Sequence, residues 1–512
     1  MRRALVLAVS LMACDVALPE ESILCGPGGE CPSDWFCHDD GHCRPTMPAD
    51  AGPRDALADA LADAIADTLA DAMPDPPVVF EAREILVLAL NAPFDVDAVL
   101  EVGGIEVLDD GDIVMAGTFR GTLESAAGLP QVNDGRGVNA YVARVTPDDG
   151  TATLEGFGSM DPPFNLMRFQ AVSVCGGQAY VVGSVQGDFS TGMQNFATDG
   201  IDFLLARLSP DGDGFSWVFA PTQPGTQAAL SVACAGRDLV VGGSTTGELD
   251  FASPSHTVQG DQDGFVAMFD DNENVQWLRG VGSDATGTAG FEVISGVGAV
   301  GRTVFAGGSV TSGTDLDLWI ARYDFAGADV DTPHRPVRPE FQGVLAMASD
   351  DTRACVSGRF NGELVLDLTT TFSSGFDGDA FIACYGANGM LEDAATVGSA
   401  NDVRGWAVAI GNDDRYLAGT FTGDLSIGGT LLENQGDEDA FLVRYASEPG
   451  GLRITGVYHV GTRNDDRIVS VVESGNRVYA AGLVGEAVTS GTFTTEGPAA
   501  FVIELIDPRP SR

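Results

Sequence analysis

The stretch "RYLAGTFTGDL" (Arg415–Leu425), followed by "DAFLVRY" (Asp439–Tyr445), decides how the rest of the chain is read. Both segments are short, apolar and bounded by Gly, Asn or Asp, the composition of strands between turns. Both also recur. The first, a strand ending in a small residue and Gly, returns as "VMAGTF", "YVVGSV", "VVGGST", "FAGGSV", "CVSGRF", "YLAGTF" and "YAAGLV". Its glycine falls at 117, 183, 243, 308, 358, 419 and 482. The second, an aromatic opening an apolar strand, returns as "YVARV", "FLLARL", "FVAMF", "WIARY", "FIACY", "FLVRY" and "FVIEL". Its aromatics are Tyr141, Phe203, Phe265, Trp319, Phe381, Phe441 and Phe501.

Two series in register, each of seven copies, define seven repeat units. In the sixth, four strands can be marked: "WAVAI" from 406, "RYLAGTF" from 415, "AFLVRY" from 440 and "RITGVYHV" from 453. Four-stranded units repeated radially describe a β-propeller. The seventh unit has only three strands before the sequence ends at Arg512, while "EILVLALNA" (Glu84–Ala92) is a spare strand ahead of the first. Supplying the missing strand from this segment would close the ring and hide two sheet edges. The expected fold is therefore all-β. It is a seven-bladed β-propeller of four-stranded blades over residues 78–508, closed by an N-terminal strand and preceded by a small disulfide-rich module.

Units of the form G-[ST]-F-x-G-x-L, then D-A-F-[LIV]-x-[RK]-Y, then W and G, resemble the SBBP-type β-propeller repeats of bacterial surface proteins. "GTFTGDL" with "DAFLVRY" is the nearest copy; "GRFNGEL" with "DAFIACY" and "GSTTGEL" with "DGFVAMF" are close. The first and seventh units lack the Asp before the aromatic. The resemblance spans roughly residues 80–508 and implies a fold more than an activity.

The acidic residues ahead of the aromatic are the foremost candidate chemistry. Four units place Asp four and two residues before it: Asp261 and Asp263, Asp315 and Asp317, Asp377 and Asp379, Asp437 and Asp439. The second unit has Asp199 and Asp202. Catalysis needs one asymmetric constellation, not equivalent copies around a ring. Two roles suit recurrence: bonding the backbone N–H groups of a turn, or contributing to a calcium site completed by carbonyls and waters. The turn role is the leading expectation, with calcium as the alternative cofactor. "SPDGDGFSW" around Asp211 and Asp213, and "TPDDG" from 146, are read as turns between third and fourth strands.

Other chemistry is sparse. His256, His334 and His459 lie far apart outside the Cys-rich segment, and no phosphate-binding or dinucleotide fingerprint is present. Cys175 and Cys234 end equivalent first strands and are expected as small core residues. Cys355 and Cys384, on the second and third strands of one unit, are candidates for a disulfide or for buried thiols.

The N-terminal region divides into four parts. "MRRALVLAVSLMAC" has two arginines, an apolar run and Cys14, and is too short to span a bilayer. It resembles a bacterial lipoprotein signal, which implies a signal peptide over 1–13 and acyl chains on Cys14. A tether over 14–24 leads to "CGPGGECPSDWFCHDDGHC", where Cys25, Cys31, Cys37 and Cys43 are evenly spaced. In an exported chain such a segment reads as two disulfides, with three pairings open. The segment resembles a small EGF-like module, and a zinc site is the rival reading. Residues 46–77, with Asp every four residues from 55 to 75, read as a spacer.

Composition limits the partners. The chain has 512 residues, 66 of them Gly, and a net charge of −47. All 27 basic residues are Arg. Such a surface repels phosphate backbones, so nucleic acid is not an expected partner. The sequence leads to a lipid-anchored, monomeric, non-enzymatic module that binds a protein or glycan. Outer membrane or cell surface is favoured over inner membrane. A propeller-type polysaccharide hydrolase or lyase, and a purely structural envelope component, are the alternatives.

Overall fold

The computed structural model describes residues 76–91, 99–125, 137–157, 166–190, 194–210, 214–251, 253–282, 290–312, 315–399, 401–486 and 498–508. It also describes the short strand pieces 36–37, 43–44, 132–133, 488–490 and 493–495. Pro76–Arg512 is one compact unit, distinct from Met1–Asp75. In the latter, Phe36–Cys37 pairs with Cys43–Arg44, with Cys37 opposite Cys43 in register. The lipidation, tether and spacer expectations, Cys14, Cys25, Cys31, and Asp211 and Asp213 lie outside the described residues.

The described chain is all-β, with no helix, and has the antiparallel meanders of a β-propeller. Unit 1 runs Val99–Val107, Ile113–Arg120, Asn139–Val145, Ala152–Phe157 as one four-stranded sheet. Unit 5 repeats this with Gln342–Ser349, Arg353–Phe360, Asp379–Gly386 and Leu391–Val397. Unit 6 repeats it with Val403–Ile410, Asp414–Phe421, Asp439–Glu448 and Gly451–Val460. Second and third strands are apolar on both faces because both are covered, whereas first and fourth strands are half-buried.

In six of the seven units the two sequence anchors turn out to be cross-strand partners. Gly117 pairs with Tyr141, Gly243 with Phe265 and Gly308 with Trp319, whereas in unit 2 Gly183 pairs with Leu204 and Phe203 with the adjacent Ser184. Gly358 pairs with Phe381, Gly419 with Phe441 and Gly482 with Phe501. The glycine has a steric cause. Every first strand carries a β-bulge opposite it, after Val102, Phe169, Ala229, Ile294, Val344, Gly405 and Ile468. The bulge pushes a first-strand carbonyl into the space of a Cβ. An added Cβ would lie 2.2 Å from Glu101 O at Gly117, 2.0 Å from Ala228 O at Gly243 and 1.7 Å from Arg404 O at Gly419.

Unit 4 departs from four strands. Its sheet holds Val293–Val300, Thr303–Ser312 and Asp315–Asp324, and the fourth position offers only the isolated bridges Tyr323–Asp329 and Ile320–His334. Pro333, Pro336 and Pro339 fall in this segment. Proline has no N–H to give a ladder, so the strand is interrupted.

In unit 7, Arg467–Ser474, Arg477–Val484 and Ala499–Ile506 continue into the N-terminal strand Glu81–Asn91, antiparallel to Ala499–Ile506. The hydrophobic core is divided into clusters, each shared by successive units. One of them joins Leu86, Leu88, Tyr479 and Val502 to Met115 and Tyr141 of unit 1. Polar contacts cross the same junctions. Arg207 Nη1 meets Glu273 at 2.7 Å between units 2 and 3. Arg477 Nη1 meets Asp148 at 3.0 Å between units 7 and 1. Ile105 N–H donates to Ser470 Oγ at 3.1 Å.

Candidate functional site

The paired aspartates separate. Those two residues before the aromatic are inside: Asp263, Asp317 and Asp439 are fully buried, and Asp379 is half-buried. Those four residues before it stay outside: Asp261, Asp377 and Asp437 are exposed, and Asp315 is half-buried.

The inner carboxylates are spent on backbone. Asp439 Oδ2 accepts the Gln435 N–H at 2.8 Å, and Asp263 Oδ2 accepts the Gln259 N–H at 3.0 Å. Asp317 Oδ1 accepts the Arg338 N–H at 3.1 Å. In unit 2, Asp202 accepts the N–H groups of Gln223 at 2.8 Å and Asp199 at 3.1 Å. Burial raises the Asp202 carboxyl, against these donors. The bonds to Gln435, Gln259 and Asp199 order the loop entering the third strand, and those to Arg338 and Gln223 fasten the segment that leads into the next unit.

Two of these aspartates also hold a histidine. Asp439 Oδ2 lies 3.0 Å from His459 Nε2, and Asp263 Oδ2 lies 2.7 Å from His256 Nε2. The glycine closing each fourth strand makes room for the carboxylate. A Cβ on Gly461 would stand 2.1 Å from Asp439 Oδ2, and one on Gly282 2.6 Å from Asp263 Oδ2. The remaining oxygens, Oδ1 of Asp263 and Asp439 and Oδ2 of Asp317, are buried without a protein partner. Among the described residues no group of three or more His, Cys, Asp or Glu is placed to hold a metal ion.

Disulfides join Cys355 to Cys384 and Cys175 to Cys234. The first links directly opposed residues of neighbouring strands in unit 5. The second corrects the reading of Cys175 and Cys234 as separate small core residues. Each ends a first strand, and adjacent first strands run side by side, so equivalent positions in units 2 and 3 meet.

A cavity lies between units 1 and 2, where the turns joining first to second and third to fourth strands come together. It has a volume of about 270 Å³. Val114, Val142 and Phe157 supply apolar wall, and Asp109, Glu155 and Gln178 supply polar groups. Its walls are braced. Arg144 donates from Nε to Asp112 at 2.7 Å, from Nη2 to Asp110 at 2.6 Å and from Nη1 to Pro210 O at 3.2 Å. Glu155 accepts the Gly214 N–H at 2.9 Å. Asp109 rests against the Gly176–Gly177 turn, whose φ angles of 56° and 74° suit glycine.

No protein-family profile and no curated protein sequence matches the chain. Solved structures do resemble it at a distance. Hydrazine synthase of Kuenenia stuttgartiensis matches with a TM-score of 0.43 at 11% identity, over 77% of this chain and 95% of that one. The β-propeller domain of the trilobed protease from Pyrococcus furiosus matches with a TM-score of 0.38 at 8% identity, over 76% and 90%. The Neurospora crassa Pan2 WD40 domain matches with a TM-score of 0.38 at 8% identity, over 86% and 98%.

Three features escaped the sequence. The cavity is assembled from turns of two units, so no single motif carries it. Glu106, on the first strand of unit 1, is pushed up to about 7 by burial, against the Val107 N–H; its one signal was a charge where sister strands carry small residues. The His–Asp pairs draw their histidines from a fourth strand in one unit and an outer hairpin in the other.

Proposed function

We propose that the chain is a seven-bladed propeller, closed by Glu81–Asn91 as the last blade's fourth strand, and serves as a non-enzymatic binding module of an exported protein. The pairing of Glu81–Asn91 with Ala499–Ile506 and the core shared by units 7 and 1 support the closed ring. The lipobox-like "LMAC" supports a lipid anchor on Cys14 in the cell envelope, and the two propeller disulfides suit an oxidising compartment.

The cavity between units 1 and 2 carries the binding reading. Apolar walls under fixed carboxylate and amide groups suit a sugar ring, whose C–H face is apolar and whose hydroxyls pair around the edge. The inner aspartates favour binding over catalysis, because one oxygen of each is bonded to the backbone of the fold.

The test is a glycan and protein pull-down with the full chain, with and without EDTA. Saturable retention of a glycan, weakened by Gln178→Ala, is expected. Retention of no glycan, or release of cleaved sugar, would sink this reading. Loss of retention in EDTA would assign the acidic motifs to calcium.

A further inference from the structure

Units 3 and 6 bring an imidazole to the same place by different routes. In unit 6 the fourth-strand residue opposite Phe441 is His459, and its Nε2 reaches Asp439. In unit 3 the residue opposite Phe265 is Gly280, which has no side chain. His256 from the outer hairpin fills that space: a Cβ on Gly280 would stand 2.0 Å from its ring. Its Nε2 reaches Asp263.

Unit 5 keeps the carboxylate and the glycine but has no imidazole. Thr396 stands opposite Phe381, and a Cβ on Gly398 would stand 2.1 Å from the Asp379 carboxylate. Beside Asp379 and Thr396 a groove of about 470 Å³ opens between units 5 and 6. Asp379, Thr396, Ser373, Ser374 and Ser399 line it, with Ser426 of unit 6 facing them. Burial raises the Asp379 carboxyl, opposed by bonds from the Ser374 hydroxyl and the Ser399 N–H. Phe376, exposed, is next in the chain to Gly375 at the rim.

We propose that this groove binds a small organic cation with N–H donors, of the size and charge of imidazolium, held by Asp379 and the surrounding hydroxyls. The sister units supply the template, a carboxylate taking a ring N–H beside a glycine that clears the space. A charge-assisted hydrogen bond in a half-buried groove gives the cation an advantage over a neutral ring. The exposed Phe376 face can add a cation–π contact. The site is separate from the cavity between units 1 and 2 and stands or falls without it.

Imidazole titrated into the full chain near pH 6, followed by NMR or calorimetry, tests the proposal. Saturable binding is expected, at least tenfold weaker in Asp379→Asn and at least tenfold weaker for tetramethylammonium, which has no N–H. The deciding variant is Thr396→His, which supplies the ring from the strand as unit 6 does. It should abolish imidazole binding while melting no lower than the parent. No saturable binding by the parent, equal binding of tetramethylammonium, or unchanged binding in a folded Thr396→His protein would overturn the proposal. N-acetylhistidine methylamide separates the sources: binding within tenfold of imidazole points to a peptide side chain, and weaker binding to a free small molecule.

Discussion

Gly419 and Phe441 are direct cross-strand partners, and a Cβ on Gly419 would stand 1.7 Å from the Arg404 carbonyl oxygen. A methyl there must displace the first strand at its bulge. Gly419→Ala is therefore expected to lose roughly 1–3 kcal/mol, read from the denaturant midpoint. Gly375→Ala, which meets nothing within 4 Å, should change stability by less than about 0.5 kcal/mol. Equal losses in the two variants would remove the bulge as the reason for the repeated glycine.

Leu88 is fully buried, pairs with Ala500 and packs in the cluster shared with Met115 and Tyr141. Leu88→Ala should cost about 2–5 kcal/mol. Amide exchange should quicken in both Ala499–Ile506 and Ile113–Arg120. Faster exchange confined to residues 81–91 would argue that the two ends fold independently.

Stability should respond to pH through two raised carboxyls. Asp466 is fully buried, and burial pushes it up to about 6 against N–H bonds from Gly485 and Thr462. Glu106 is pushed up to about 7 by the same cause. A raised carboxyl favours the folded state while protonated. Its contribution is full below the ordinary values of 3.8 and 4.5 and is lost as pH rises through about 6 and about 7. Relative to an Asp466→Asn, Glu106→Gln double variant, the parent should lose stability across that window. A stability difference that stays constant with pH contradicts this.

The Cys175–Cys234 disulfide spans 59 residues. The chain-entropy contribution for a loop of that length is about 4 kcal/mol. The Cys175→Ala, Cys234→Ala double variant should show a loss of this order in guanidinium melts, and dithiothreitol should not destabilise it further through this bond. If the double variant melts with the oxidised parent, the bridge adds nothing to stability.

The fold was legible because its two anchors obey local steric rules: Gly419 faces a bulge, and Phe441 is the residue that crosses it. The glycine facing a bulge repeats in every unit and so surfaces in one sequence. The pairing of Cys175 with Cys234 was not legible, since it depends on two first strands lying side by side. The acidic motif was legible only in part. Asp439 and Asp437 look equivalent in sequence, but Asp439 opens the third strand and is buried, whereas Asp437 sits in the loop before it and stays in solvent. The cavity at Asp109, Glu155 and Gln178 has no linear signature, because three turns of two units build it.

The account holds that the repeated acidic motif fastens the fold and that glycan binding belongs to the cavity between units 1 and 2. Glycan retention by two variants of the full chain tests this most directly. Asp109→Ala with Gln178→Ala alters the cavity, and Asp377→Ala with Asp437→Ala removes exposed members of the motif. Retention should fall at least tenfold in the cavity variant and stay at the parental level in the motif variant. Loss in the motif variant with full retention in the cavity variant would contradict the account.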